Sequence, residues 1–215
     1  MSSSLAARIA AFLIVGLGVV TRALAYEVGT HQVINRAAAS FSTADIRLRT
    51  DLGISNGLGQ VVSDPVTAKP IIDWIGYGGV REDDPLRFLN HFHHPLRSPW
   101  RTAGLTDRFD GRSSIVWGQD RTQGAAWQNA RDSFFAALTR PARGEREEQW
   151  ATTFRTLGQL MHLIADASVP AHARNDNHGL LGDPYEEWVE AQAQAGADQF
   201  VATFAAAPGA RTLRS

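Results

Sequence analysis

The chain has 215 residues, 44% of them hydrophobic, with a formal net charge of −1. That is apolar enough to exclude a disordered chain and suits one domain, while the near-zero charge excludes a sequence-wide basic field for holding nucleic acid. Cysteine is absent, which excludes disulfides and thiolate ligands, so any metal must be held by imidazole and carboxylate.

Residues 1–25 read as a secretory signal peptide. Arg8 supplies the positive region, Ile9 to Val20 the apolar run, and Ala23-Leu24-Ala25 the small-x-small cleavage pattern. The run is about 12 residues, short of the ~20 that cross a bilayer. An uncleaved N-terminal anchor is the other reading. Cleavage after Ala25 leaves residues 26–215, with no transmembrane anchor, secreted or periplasmic.

In the mature chain, Val33, Ile34, Ala37, Ala38 and Phe41 recur at helical spacing and predict a helix over 30–41, capped by Thr30. A short helix is expected over 43–50, a loop over 51–65, and a helix over 66–78 with Pro70 in its first turn. Gly78-Gly79 is expected to end that helix. The stretch 80–113 carries Pro85, Pro95 and Pro99 and reads as a long functional loop. Further helices are expected over 119–139, with Trp127, Ala130, Phe134 and Leu138 on one stripe, over 145–167 up to the break at Pro170, and over 185–206. No run alternates at period two over strand length. The predicted class is all-α: a compact single-domain helical bundle with a long functional loop, after a cleaved signal peptide.

His162 and Asp166 stand at i and i+4 and share a helix face flanked by Leu157, Leu160, Met161, Ile164 and Ala165. An aspartate there must be paired or coordinated, because burying it alone costs several kcal/mol. A His–Asp hydrogen bond inside the core meets that need, and so does a metal. His172, His178 and Glu186 follow the Pro170 break. Upstream, His91, His93 and His94 follow the acidic run Glu82-Asp83-Asp84. Alternating histidine and carboxylate over four segments supplies ligands for more than one zinc ion, each of which takes about four N/O donors.

The order His31, acidic residue, HF motif, then LGQLMHLIADASVPAHARN and YEEWV, resembles the zinc-dependent bacterial phospholipases C, whose fold and trinuclear zinc site the fungal single-strand nucleases share. The pattern LGxxxHxxxDxxxPxHxxN carries the resemblance, and THQVINRA looks like the first helix of those phospholipases. The resemblance implies three Zn2+ ions. Asp83, His91, His162 and Asp166 would bind one, and His172, His178 and Glu186 a second. Asp166 would bridge to a third, completed by His31 and the free N-terminus of Tyr26, five residues before His31. Glu82, Asp84 or Asp73 could take the place of Asp83, and His178 lies further from Glu186 than the family's spacing, with Gly182 at the usual position.

The implied activity is phosphodiester hydrolysis, with Asp83 or a neighbour as the catalytic base. The substrate is a phospholipid met in transient contact with a membrane surface, or a single-stranded nucleic acid. Arg81, Arg87, Arg97, Arg101, Arg108, Arg112 and Arg121 keep the nuclease open, although Asp107, Asp110 and Asp120 interleave with them. Trp100, Phe109 and Trp117 line a substrate cleft or fill the core. An inactive zinc-binding relative is the competing class.

Overall fold

The computed structural model describes residues 28–84, 86–96, 112–176, 183–196, 199 and 202. The signal segment 1–25, Tyr26, Trp100, Phe109, His178 and Gly182 lie outside the described residues, as does the centre of the long loop, 97–111.

The described residues form an all-α fold with one small hairpin. Helices α1 (Val28–Phe41) and α2 (Ala44–Thr50) lead into a 3-10 turn, Gly57–Gly59. Asp45 of α2 accepts from the Leu58 amide at 2.8 Å and from Arg49 at 2.8 Å, tying that turn to the helix. Strands β1 (Val61–Ser63) and β2 (Ala68–Pro70) pair antiparallel, Val62 opposite Lys69. The hairpin turn closes on Asp64, whose carboxylate accepts from the amides of Val66 and Thr67.

Helix α3 (Ile71–Glu82) follows β2 directly. A short helix α4 (Ser114–Trp117), a 3-10 turn at Arg121–Gln123, α5 (Trp127–Thr139), the long α6 (Arg143–Asp166), α7 (Pro170–Arg174) and α8 (Pro184–Ala195) complete the order. Among the described residues no helix is long and apolar enough to cross a membrane.

Helix α6 is the spine. Helices α3 and α5 both pack along it, and α1 packs on α3. Gly78 meets Arg155 and Gly158, and Glu82 meets Gln159. Residue numbers therefore rise together on α3 and α6, and the two helices run parallel. At their N-terminal ends Ile71, Trp74, Ile75, Ala151 and Phe154 form the core, joined by Leu48, Leu58 and Val62. Trp74 donates from Nε1 to the Val62 carbonyl at 3.0 Å, which fixes the hairpin to this core. Asn35 of α1 is wholly buried and donates to the Gly158 carbonyl at 2.8 Å, tying three helices at their crossing. At the other end of the same pair the fully buried side chains are Glu82, His162 and Asp166. One helix pair thus has an apolar end and a polar end.

Several sequence expectations need correction here. Residues 66–70 belong to the hairpin, and α3 begins at Ile71 rather than 66. Gly78-Gly79 does not end the helix, which continues to Glu82. A Cβ at Gly78 would collide with the Arg155 carbonyl, and one at Gly79 would crowd Asn35 and the backbone of His31. The glycines are there for close approach of α3 to α6 and α1, not for termination. The stretch 119–126 is turn rather than helix. On α5, Trp127, Phe134 and Leu138 are exposed, and Ala130 and Ala137 make the buried seam against α6. Ile164 on α6 is also exposed, because the buried stripe there is polar.

Candidate metal centre

Four elements carry imidazoles and carboxylates to the polar end of the α3–α6 pair. His31 comes from the first turn of α1, Asp83 from the residue capping α3, His91 from just after the 3-10 turn Phe88–Asn90, and His162 and Asp166 from the last two turns of α6. Pro170, at the first position of α7, restarts the chain as a helix and turns His172 inward. Asn175 closes α7 in the left-handed region at φ 61°. Asp183 caps α8 by accepting from the amides of Tyr185 and Glu186, and α8 packs on α1. Glu186 is thereby brought 3.0 Å from Nε2 of His172.

Asp166 is the hub and is wholly buried. Its Oδ1 lies 3.1 Å from Nε2 of His31. Its Oδ2 lies 3.0 Å from Nδ1 of His91, 3.1 Å from Nε2 of His162 and 3.5 Å from Nδ1 of His172. Asp83 Oδ1 stands 3.5 Å from Nε2 of His162 and 3.7 Å from Nδ1 of His91. Among the described residues two ligand triads result: His31, His162 and Asp166, and Asp83, His91 and His162. The rings also stack, His31 on His162 at 3.6 Å between centroids and Phe92 on His172 at 4.5 Å. That second contact explains the apolar residue of the HF motif.

The donors fit a metal ion. Both oxygens of Asp166 and Oδ2 of Asp83 are buried without a hydrogen-bond partner. Nitrogen and oxygen approach each other, but not along N–H···O directions. Donors 2.0–2.2 Å from one tetrahedral zinc stand about 3.4 Å apart, and the contacts above span 3.0–3.7 Å. Buried polar atoms without partners are costly, and a cation bound among them removes that cost. These buried clusters can therefore hold a metal ion.

His162 shows how its tautomer is set. Its Nδ1 is 2.7 Å from the carbonyl of Gly79, one of the last four carbonyls of α3, which the helix itself leaves unpaired. With Nδ1–H donating there, Nε2 carries its lone pair toward Asp166 and Asp83. Sequence reading gave Gly79 no such role, and a backbone carbonyl leaves no sequence signal.

The acidic run is also resolved. Glu82 is wholly buried and accepts from Arg87, Trp117 and Gln159. Asp84 pairs with Arg81 at 2.6 Å on the surface, and Asp73 with Arg36 at 3.0 Å. Asp83 is the one that stands between two imidazoles, within 3.7 Å of His91 Nδ1 and 3.5 Å of His162 Nε2. Trp117 is half-buried and serves the Glu82 cluster. His93 is 2.9 Å from Ser113 Oγ and donates its backbone amide to the His172 carbonyl.

Electrostatics sharpen the picture. Burial alone would push Asp166 up, but His162, His31 and His91 hold it well below the ordinary carboxylate range. Burial would push His172 down, yet the carboxylates of Asp166 and Glu186 beside it raise it to about 11. Burial is likewise outweighed at His91 by Asp166, Asp83 and Glu82, and at His162 by Asp166 and Asp83, so both are raised. A raised histidine stabilises fully below its unfolded pKa near 6.5, and that contribution is lost as pH rises through the folded value, near 11 for His172. A metal must displace those protons. Zinc affinity should therefore climb with pH, about tenfold per unit for each proton released. The melting-temperature gap between zinc-loaded and chelated protein should widen from pH 5.5 to 8. A constant gap would show that these imidazoles are not the ligands.

No family model matches the chain, and neither a curated protein nor a solved structure matches it.

Proposed function

We propose that the chain is a secreted zinc-dependent phosphodiester hydrolase, most similar in action to a phospholipase C and built on three zinc ions. The observation that carries this reading is Asp166. One buried carboxylate turns Oδ1 to His31 and Oδ2 to His91, His162 and His172. A carboxylate shared between imidazole groups in this way suits a bridge between ions.

Asp83, His91, His162 and Asp166 would hold one ion, and His31 with Asp166 another, joined by the N-terminal amine of Tyr26. His172 and Glu186 would hold the remaining ion, with His178 as a further ligand. Bound zinc supplies Lewis-acid polarisation of a phosphoryl oxygen and acidifies water toward a pKa of about 7. Asp83 is part-exposed, unlike Asp166, and its Oδ2 makes no hydrogen bond. On this reading it would accept a proton from attacking water. His162 is held in one tautomer by Gly79, so its contribution needs no reorganisation.

The test is the mature chain from Tyr26, loaded with zinc and given a short-chain phosphatidylcholine and single-stranded DNA side by side. The expected result is release of the phosphorylated head group, falling to background when a chelator strips the metal. Cleavage of DNA without lipid turnover would replace the lipid reading with the nuclease reading. No turnover of either substrate by fully loaded protein would make the chain a zinc-binding protein without this activity.

A further inference from the structure

Beside the metal centre, but not part of its ligand set, lies a buried charged cluster that spans four segments. Glu82, the last residue of α3, is fully enclosed. Its Oε2 accepts from Arg87 Nε at 3.0 Å, Arg87 Nη2 at 2.6 Å and Gln159 Nε2 at 2.9 Å. Its Oε1 accepts from Trp117 Nε1 at 2.8 Å. Arg87 is itself fixed, donating to the Gln123 side chain at 2.7 Å and lying over the Trp117 ring at 5.1 Å.

A carboxylate offers about four lone-pair directions, two on each oxygen. Oε2 is saturated by its three donors, whereas Oε1 has one donor and one direction open. His91 Nε2 stands 4.0 Å from that oxygen. This ring nitrogen is buried and has no hydrogen-bond partner. The opposite nitrogen, Nδ1, faces Asp166, His162 and Asp83 at 3.0, 3.2 and 3.7 Å. The ring thus lies between the ligand cluster and an anchored carboxylate.

A buried ion pair is weak evidence for stability on its own, since apolar packing often does as well. Its placement is what calls for explanation. Histidines that ligate metals donate their other N–H to a carboxylate or carbonyl, which fixes the ring and raises its basicity. His162 has such an acceptor in Gly79. For His91 the geometry points to Glu82: we propose that Glu82, held by Arg87, Trp117 and Gln159, is the positioning residue that accepts His91 Nε2–H and commits Nδ1 to the metal. The contact needs to shorten by about 1 Å to become a hydrogen bond. The arm Gln123–Arg87–Glu82–His91 then ties the loop after α4 to the metal centre. This inference rests on zinc occupying the cluster, and on no particular substrate.

Two measurements test it, neither depending on turnover. The first uses wild-type protein labelled with 15N-histidine and loaded with zinc alone. Long-range proton–nitrogen spectra should show His91 protonated at Nε2, in slow exchange, with Nδ1 metallated. Metallation through Nε2 overturns the inference while leaving the metal centre standing. A wild-type chain that takes up no zinc overturns both. The second is zinc affinity by competition with a chromophoric chelator. Glu82→Gln should weaken binding 10–100-fold, but it strands Arg87 and can impair folding. The double variant Glu82→Gln with Arg87→Gln removes both charges and leaves no ion unpaired. It should keep the wild-type melting temperature in chelator and still bind zinc 10–100-fold more weakly. Wild-type zinc affinity in the folded double variant would show that the pair serves only the fold, and would overturn the proposal.

Discussion

Asp166→Ala should strip the metal centre and lower the melting temperature of the zinc-loaded protein by roughly 10 °C. His31, His91, His162 and His172 all stand within 3.5 Å of this carboxylate. Without it, buried imidazoles face one another with no anion between them. Removing one partner of a buried charged set costs about 3–5 kcal/mol. For a domain of this size each kcal/mol is worth about 2–4 °C. Asp166→Asn keeps the shape but not the charge, and should recover part of the stability without recovering metal content. Zinc content by mass spectrometry and thermal scans with and without chelator read both effects. A melting temperature indifferent to the substitution and to the chelator would mean that no ion sits there.

Gly158→Ala should destabilise by about 3 kcal/mol or more and weaken zinc binding, although Gly158 touches no ligand. In an exposed helix the change would be favourable by up to about 1 kcal/mol. Here a new Cβ would collide with the Ile75 carbonyl and lie 2.9 Å from the Gly78 Cα. Both obstacles are backbone, so the helices themselves must separate, and overpacking of this kind costs about 1–3 kcal/mol even where side chains can yield. The separation would stretch the Asn35 bond to the Gly158 carbonyl and pull Glu82 and Asp83 away from Gln159 and His162. Gly144→Ala, on the same helix with nothing within 4 Å of its Cβ, is the control and should be neutral or slightly stabilising. Denaturant melts of the two variants should therefore shift in opposite directions or by very different amounts. Equal small shifts would show that the crossing can relax.

The long helix was legible because its signals agreed. The expected span 145–167 is observed as 143–166, and the chain turns at Pro170 as its geometry demands. The hairpin was not legible, since three residues per strand are too few to show alternation. Gly78-Gly79 misled because a glycine pair in a helical pattern can mean an end or a close neighbour. Only the partner helix decides between them. The imidazoles of the centre were legible from their spacing with carboxylates, but the choice among Glu82, Asp83 and Asp84 was not. Glu82 is the last helical residue, Asp83 caps α3 and Asp84 follows it, so which one meets the histidines depends on where the helix stops and how α3 sits on α6. The stripe Trp127, Ala130, Phe134 and Leu138 showed the helix by its spacing but not its buried face, since only Ala130 of the four is buried. Ala130 and Ala137 let α5 approach α6 closely.

The parallel pairing of α3 with α6 concentrates apolar contact at one end and cation ligands at the other. Resistance to opening should follow the same axis. Amides near Ala151 and Phe154 sit over packed carbon and should be released only when the whole domain unfolds, whereas those from His162 to Asp166 lie among groups that a bound cation would hold together. Withdrawing such a cation should leave the first set slow to exchange with deuterium and free the second, so a single continuous helix would report two free energies of opening. The lower one measures, in the resting protein, how much of the domain's order is lent by the ion.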